Sequence, residues 1–573
     1  VAGHGSWQVP YHGACMRWLR LPLALPFALL ACVPPASRPP PTDTSATPAT
    51  KHGLVPEGTP PQVDIARSRA RGGEQRFTWS SWSAESLARA KREGKYILID
   101  GAAAWCHWCH VMDETTYLDP EVGRVLQERF VTIRFDVDEH PDLAERYIDW
   151  GWPATILLTP DARELGKYRG YLPPDELREI LGGIDRAAAA LDAAPRAQGV
   201  APADKPAPPE ALGWIAARLG LDMNRYYDAE QGGWGRQKVP IGWNVLFELR
   251  RAAHGDDEAR MRAVFTLGKH RLLIDPVWGG IYQYSVGGVW DDPHFEKLMP
   301  LQAANLEAFA RAHALTKDPA LLADARKLAG YLDRFLSNSE GAFLVSQDAD
   351  VGSHDRQARF VDGHVYYQLG DAERRALGIP RVDDSVYGYE NGLAIAALCA
   401  LHEVTGDAAP LARARRAADG LLRTHVNDDG SVRRPRPDGA ERKGRYLADH
   451  AGLGLGLARL AERTGEASYR EAAVRIAAAL DRDFTDPGSG AWMASTPDPA
   501  AVGVFARQER PISPNALAAR LQAALHRLTG DEAYRERGRR ALAGLATPAA
   551  LAAQGRMLGE LLLAMDDLEL YPW

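Results

Sequence analysis

Eight consecutive residues, Trp105 to Met112 (WCHWCHVM), hold two cysteines and two histidines. Cys106 and Cys109 are spaced C-x-x-C. At the start of a helix that spacing suits a reversible disulfide, because the helix N-terminus lowers the pKa of the first thiol and the second stands one turn away to resolve a mixed disulfide. Cys106 to His110 also reads C-x-x-C-H, the pattern of covalent haem attachment. Thiolate and imidazole donors together could instead hold zinc. The three chemistries need different surroundings, so the elements around the motif decide between them.

Upstream, SAESLARAKREGK from Ser83 predicts a capped helix, and the apolar run YILID (Tyr96 to Asp100) predicts a strand that leads straight into the cysteines. Downstream, Asp119-Pro120 is an N-cap with proline at the first helical position of EVGRVLQERF. The strand VTIRFDV follows, then a helix near PDLAERYIDW, the strand ATILLTP, its hairpin partner ELGKYRGY and a closing helix PPDELREILGGI. This order, βαβ then ββα with the cysteines after the first of these strands, is that of a thioredoxin fold, expected over residues 76–190. A haem needs an apolar pocket and usually a distal ligand, neither evident here. Zinc needs about four ligands, and Cys109 and His110, neighbours on one turn, do not point easily at one ion. No second ligand pair lies nearby in the chain, so no metal and no cofactor are expected, and the dithiol reading is preferred. Cys106 is the expected attacking sulfur and Cys109 the less exposed, resolving one. Similarity to thioredoxins implies two further roles. Asp100, six residues before Cys106, matches their buried acid that assists proton transfer. Pro153, in GWPAT before a strand, matches the cis-proline that faces the sulfurs.

With 573 residues, 46% hydrophobic and 25% charged, the chain is long enough for several domains with full cores. A net charge of -7 leaves no basic footprint, so nucleic acid is not an expected partner. Five cysteines (Cys15, Cys32, Cys106, Cys109 and Cys399) are too few for a disulfide scaffold, and Cys399 in AALCALHEV reads as a small buried helix residue. Met16-Arg17-Trp18-Leu19-Arg20, an apolar stretch to Ala31 and the ending LLAC at Cys32 resemble a bacterial lipoprotein signal with its lipobox. That resemblance implies cleavage before Cys32, lipidation of its thiol and an envelope location on the periplasmic side, anchored to the membrane. Residues 1–15 then read as an upstream start called too early and 16–31 as the signal. Residues 33–75, rich in Pro, Ser and Thr, read as a linker.

From residue 205 to 573 the composition turns to Ala- and Leu-rich helices, and a phrase recurs: TKDPALLADARKLAGYL, TGDAAPLARARRAADGLL, TGEASYREAAVRIAAAL and TGDEAYRERGRRALAGL. Each is a turn followed by an amphipathic helix, and Gly-rich turns such as DAEQGGWG, DPVWGGIY and DPGSGAW lie between them. Paired helices with one set of Gly- and aromatic-rich loops predict an (α/α)6 toroid. The fold class expected is therefore α/β plus all-α.

Taken together, WCHWCHVM, GGIYQYSV with HFEKLM (His294 to Met299), SEGAF with DAD (Asp348 to Asp350), NGLAIAAL, LADHAGL and SPNALAA resemble the spermatogenesis-associated protein 20 family over residues 75 to 573. That family carries a thioredoxin-like domain followed by a toroid related to sugar epimerases and glycosidases. HFEKLMPLQAAN departs from the family's usual Asp-Asn-Ala ending. Toroids of this type hold saccharides between loop aromatics and carboxylates, so His294, Glu296, Asp348, Asp449, His450 and Trp290 are candidate binding residues. Asp291, Asp292, Asp350, Trp234 and Trp278 make up the wider set. Two functions follow. The first is a membrane-tethered thiol–disulfide oxidoreductase acting on a protein dithiol or disulfide, with a toroid that binds a partner or a glycan. The second is a carbohydrate-active toroid with a regulatory thioredoxin-like domain.

Overall fold

The computed structural model describes residue 65 and residues 73–193, 206–436 and 444–573. The signal, Cys32 and nearly all of the 33–75 linker lie outside these. Among the described residues no helix is long and apolar enough to cross a membrane.

The N-terminal part is a five-stranded sheet in the order β1-β3-β2-β4-β5. β1 (Ser80–Ser81), β3 (Phe130–Asp136) and β2 (Tyr96–Ala102) run parallel, while β4 (Ala154–Leu158) and β5 (Glu164–Arg169) continue antiparallel. β2 is apolar on both faces because helices cover both sides of it, and its register aligns Ile99 with Ile133 and Ile156 in the centre of the sheet. α1 (Ala84–Glu93) starts where Ser83 accepts the Ser86 N–H and ends at Gly94, whose φ of 63° closes the helix in the left-handed region. α2 (His107–Glu114) carries the cysteine motif, and α3 (Pro120–Arg129) opens as expected with Asp119 accepting the Glu121 and Val122 N–H groups. α4 (Pro141–Tyr147) and α5 (Pro174–Gly182) complete the thioredoxin-like order, and one more helix, α6 (Ile184–Ala193), extends it.

The remainder is a closed double ring of helices. Six inner helices, 242–253, 299–316, 388–405, 447–464, 512–529 and 559–567, pack each on the next, and the last packs back on the first. Closure of that circuit makes the ring a toroid rather than an open solenoid. The outer helices are 212–224, 257–270, 319–335, 408–424, 467–484 and 532–545.

The recurrent phrase is the inner-to-outer turn. Thr316, Thr405, Thr464 and Thr529 each donate to the carbonyl four residues back and accept the N–H of Asp318, Asp407, Glu466 or Asp531, the N-cap of the outer helix. Between them stand Lys317, Gly406, Gly465 and Gly530, all with φ between 62° and 73°. A hairpin follows each outer helix except 532–545, which leads into the short helix Pro548–Ala553, and at several of them a side chain in the first turn of the next inner helix grips the hairpin. Gln302, Asn391 and Asn515 each bond both the N–H and the C=O of one hairpin residue, Ile281, Phe343 and Trp492. Sheet domain and ring belong to one compact unit.

Candidate functional site

β2, the central strand, ends at Ala102, and from its C-terminal end the chain turns into α2 with Cys106 as its N-cap. Cys106 and Cys109 are joined by a disulfide, and the Cys109 N–H points at the Cys106 sulfur at 3.1 Å. Burial does not distinguish the two thiols, at 3% and 4% exposure, contrary to the expectation that Cys109 is the more hidden. Both belong to an apolar cluster with Ala103 and Trp105, against which Trp108, Trp150, Trp152 and Leu298 pack. The Trp152–Pro153 peptide is cis, and because Ala154 pairs with Gly101, Pro153 lies beside the end of β2 from which the cysteine loop leaves.

Asp100 is buried and its carboxylate accepts Arg134 Nε at 2.8 Å. Burial pushes its pKa up to about 6 against the opposing pull of that guanidinium. Arg134 also makes a fork with Asp113 of α2, at 2.5 and 3.0 Å, and stacks on Trp79. Asp100 is thus an anchored partner of an arginine, which the sequence alone did not suggest.

The face of α2 that carries His107 and His110 packs against a loop of the toroid. His107 Nδ1 lies 2.7 Å from Asp350 Oδ2, and the His107 backbone N–H donates to Glu296 Oε1 at 3.2 Å. His110 Nδ1 stands 3.8 Å from Asp348 and 3.7 Å from Asp350. Trp108 faces Tyr171 and His294, with ring centroids 5.7 and 6.2 Å away, and His294 stacks on Tyr284 at 4.3 Å. Charge follows this packing. The carboxylate of Asp350 outweighs burial and lifts the pKa of His107 to about 9. Burial, reinforced by the nearby imidazoles of His107 and His364, pulls His294 down to about 3. Burial also raises Glu296 to about 7. Four residues offered by the sequence as saccharide ligands or their neighbours, His294, Glu296, Asp348 and Asp350, are therefore gathered around the cysteine helix.

The other candidates lie elsewhere. Asp449 accepts Arg434 Nη1 at 2.7 Å and the Tyr389 N–H at 3.1 Å. His450 is fully buried; its Nδ1 bonds the Tyr446 carbonyl and its Nε2 accepts the Val432 N–H, holding a hairpin by its N–H where Asn391 and Asn515 hold both N–H and C=O. Trp290 is buried against His270 and donates to the Gln231 carbonyl, while Trp234 and Trp278 are core residues bonded to Asn224 and Asp371. Asp291 is exposed, and Asp292 stands 3.6 Å from His364. Cys399 is buried and free.

Three residues that the sequence did not single out stand out here. His354 approaches His110 and Asp348. Glu390 and Glu560 begin inner helices with buried carboxylates whose pKa values burial raises to about 7 each. Nothing local in the sequence marks the two glutamates apart from capping acids. Two groups could hold a metal ion, His110 with Asp348 and His354, and His107 with Asp350 and Asp362.

The sequence family described as "Protein of unknown function, DUF255" (Thioredox_DsbH) matches residues 70–192. Human spermatogenesis-associated protein 20 is 29% identical over 327 residues, 50% of this chain and 41% of that protein. The chain thus spans about two fifths of the length of these curated relatives. Thiol:disulfide interchange protein DsbD 1 of Pseudomonas aeruginosa is 28% identical over 131 residues, 22% of this chain and 20% of that one. Among solved structures, the cellobiose 2-epimerase of Spirochaeta thermophila superposes with a TM-score of 0.47 at 11% identity, covering 63% of this chain and 98% of that one. The toroid rests on its own helix contacts and the sheet domain on its strand order; the chain carries a thioredoxin-like DUF255 domain and is similar to spermatogenesis-associated protein 20.

Proposed function

We propose that the chain is a membrane-tethered thiol–disulfide oxidoreductase in which Cys106 attacks and Cys109 resolves. The observation that carries this reading is the bonded pair at the first turn of α2, with the Cys109 N–H aimed at the Cys106 sulfur. In the reduced state that N–H and the helix N-terminus favour thiolate at Cys106. The thiolate attacks one sulfur of a substrate disulfide, forming a mixed disulfide and releasing one substrate thiolate. Cys109, deprotonated, then attacks the Cys106 sulfur, closes the internal disulfide and releases the second. Two electrons pass from the dithiol to the substrate; the reverse sequence oxidises a substrate dithiol. Interchange of this kind is in the name of the Pseudomonas relative. Because both sulfurs are nearly enclosed, a small disulfide or an extended segment suits the dithiol as substrate better than a folded surface. The tether is the lipid on Cys32, and the toroid is the platform that holds a partner or a glycan beside the dithiol.

The test is alkylation trapping across a series of glutathione potentials. Cys106→Ser removes exchange with a small artificial disulfide, and Cys109→Ser accumulates mixed disulfides. Wild-type exchange rates in Cys106→Ser refute the proposal.

One observation favours the second reading, a carbohydrate-active toroid. Glu390, Asp449 and Glu560, at the starts of three inner helices, each keep one buried carboxylate oxygen without a hydrogen-bond partner. Groups with pKa values near 7 suit general acid–base work on a sugar. On that reading Glu390→Gln abolishes sugar turnover while Cys106→Ser spares it.

A further inference from the structure

α2 presents two histidines to the toroid, and their surroundings differ. His107 has a closed hydrogen bond to Asp350 at 2.7 Å. His110 is only 6% exposed, yet neither of its ring nitrogens has a hydrogen-bond partner. Buried polar atoms are paired in nearly all cases, so an imidazole bare on both sides requires an explanation.

Its neighbours supply one. Nδ1 faces Asp348 Oδ1 at 3.8 Å and Asp350 Oδ2 at 3.7 Å. On the far side of Asp348, His354 Nε2 lies 3.0 Å from Oδ2, and the two imidazole rings are 4.8 Å apart. One donor atom each from His110, Asp348 and His354 fall within 4.8 Å of one another. The His110–carboxylate distances are too long for N–H···O bonds. They approach the spacing of ligands that share an ion, since bonds of about 2.1 Å to a tetrahedral centre set the ligand atoms roughly 3.4 Å apart.

We propose that His110, Asp348 and His354 bind a divalent transition-metal ion, zinc or iron(II), with Asp350 within reach as a fourth ligand. Two imidazoles with carboxylate oxygens select such ions over calcium or magnesium, which take oxygen ligands alone. The alternative group, His107 with Asp350 and Asp362, is less suited. Although His354 Nε2 also lies 3.0 Å from Asp348, only the first group contains an imidazole with both ring nitrogens unpartnered, His110, whereas His107 is satisfied by Asp350. The site takes one ligand from the cysteine helix, the residue after Cys109, and two from a toroid loop, so the ion pins the two parts together. His354 lies at the surface and gives the ion its route in. Arg381 Nη1 stands 3.2 Å from His354 Nδ1. When Nε2 coordinates, Nδ1 keeps the proton and the exposed guanidinium turns to solvent.

The test uses the full chain with its disulfide closed, so that the thiols cannot act as ligands. After chelator treatment, Zn2+ binding is measured by competition with a chromophoric chelator and Co2+ binding by visible spectroscopy. The expected result is one ion per chain, with Co2+ ligand-field bands and no thiolate charge-transfer band. His354→Ala, at a surface position that spares folding, weakens binding on the order of 100-fold or more. Asp348→Asn does the same in a chain whose circular dichroism is unchanged, Arg381→Ala binds as tightly or more so, and His313→Ala, a histidine remote from the site, changes nothing. Less than one equivalent bound, or unchanged affinity in His354→Ala, overturns the proposal. Neither outcome touches the dithiol exchange, which is assayed separately.

Discussion

Arg434 is the clearest single link between the two folded parts. It is buried, donates from Nη1 to Asp449 of the toroid at 2.7 Å, and from Nε and Nη2 to the backbone carbonyl of Asp138, just after β3 of the sheet domain. Its guanidinium also lies 3.5 Å over the Tyr387 ring. In Arg434→Leu, Asp449 remains fully buried with only the Tyr389 N–H on its bonded oxygen, and the Asp138 carbonyl loses this arginine's two donors. Breaking a buried pair from one side costs about 3–5 kcal/mol, mostly the uncompensated charge left behind. If the roughly 480 described residues unfold together, an unfolding entropy of about 2.1 cal/mol/K per residue converts that loss into a fall in Tm of about 3–5 °C. If the loss falls on the sheet domain alone, with roughly 120 residues, the same energy lowers its own transition by well over 10 °C and splits it from the toroid's. Differential scanning calorimetry of the oxidised chain distinguishes the two. Arg434→Leu/Asp449→Asn recovers most of the loss, because the orphaned charge is gone. A single variant that shifts Tm by under about 1 °C, or a double variant worse than the single one, refutes this account of the interface.

Glu560, buried and hydrogen-bonded by Ser513, has a folded pKa of about 7 against an ordinary 4.5. A raised acid contributes its full stability below the unfolded value and loses it as pH rises through the folded one. Glu560→Gln therefore matches the parent near pH 4 and exceeds it by about 3 kcal/mol near pH 8 in denaturant titrations; parallel pH profiles contradict this. Lys317 occupies the left-handed position that glycine fills in three sister turns, so Lys317→Gly raises stability by ~1 kcal/mol, and a loss of stability shows that the turn needs the side chain. Cys32→Ala converts a membrane-bound product into a soluble or uncleaved one on fractionation, and a wild-type chain already soluble in the cytoplasm rules out the lipid tether.

Local pattern carried most of the fold. The run YILID reads as a strand because helices bury both of its faces, and Asp119-Pro120 starts a helix through side-chain and backbone chemistry that needs no distant partner. The T-G-D/E phrase is legible for the same reason: one residue ends a helix in the left-handed region and the next acid caps another. The site was legible only in pieces. His107 meets Glu296 and Asp350 across separations of 189 and 243 residues, and no local periodicity encodes such a meeting. His450 shows the opposite difficulty. In isolation LADHAGL looks like a catalytic acid and base. Aligned on the left-handed residue of each repeat, His450 stands where Gln302, Asn391 and Asn515 stand, and its bonds to Tyr446 and Val432 are the histidine version of their grip on a hairpin.

The same geometry accounts for the unusual density of histidine around the cysteines. A C-x-x-C helix docked on Glu296, Asp348 and Asp350 brings carboxylates against the turn that carries Cys106, the proposed attacking thiol, and like charge disfavours a thiolate. A motif with neutral residues between and after the cysteines would leave that charge unanswered in a buried place. His107, held protonated up to about pH 9 by Asp350, puts positive charge on the same turn as the sulfurs. It thus offsets the toroid's acids beside the first cysteine. Dithiol and toroid mouth then act as one electrostatic unit: Asp350→Asn is felt at the cysteines, although Asp350 lies 244 residues further along the chain than Cys106.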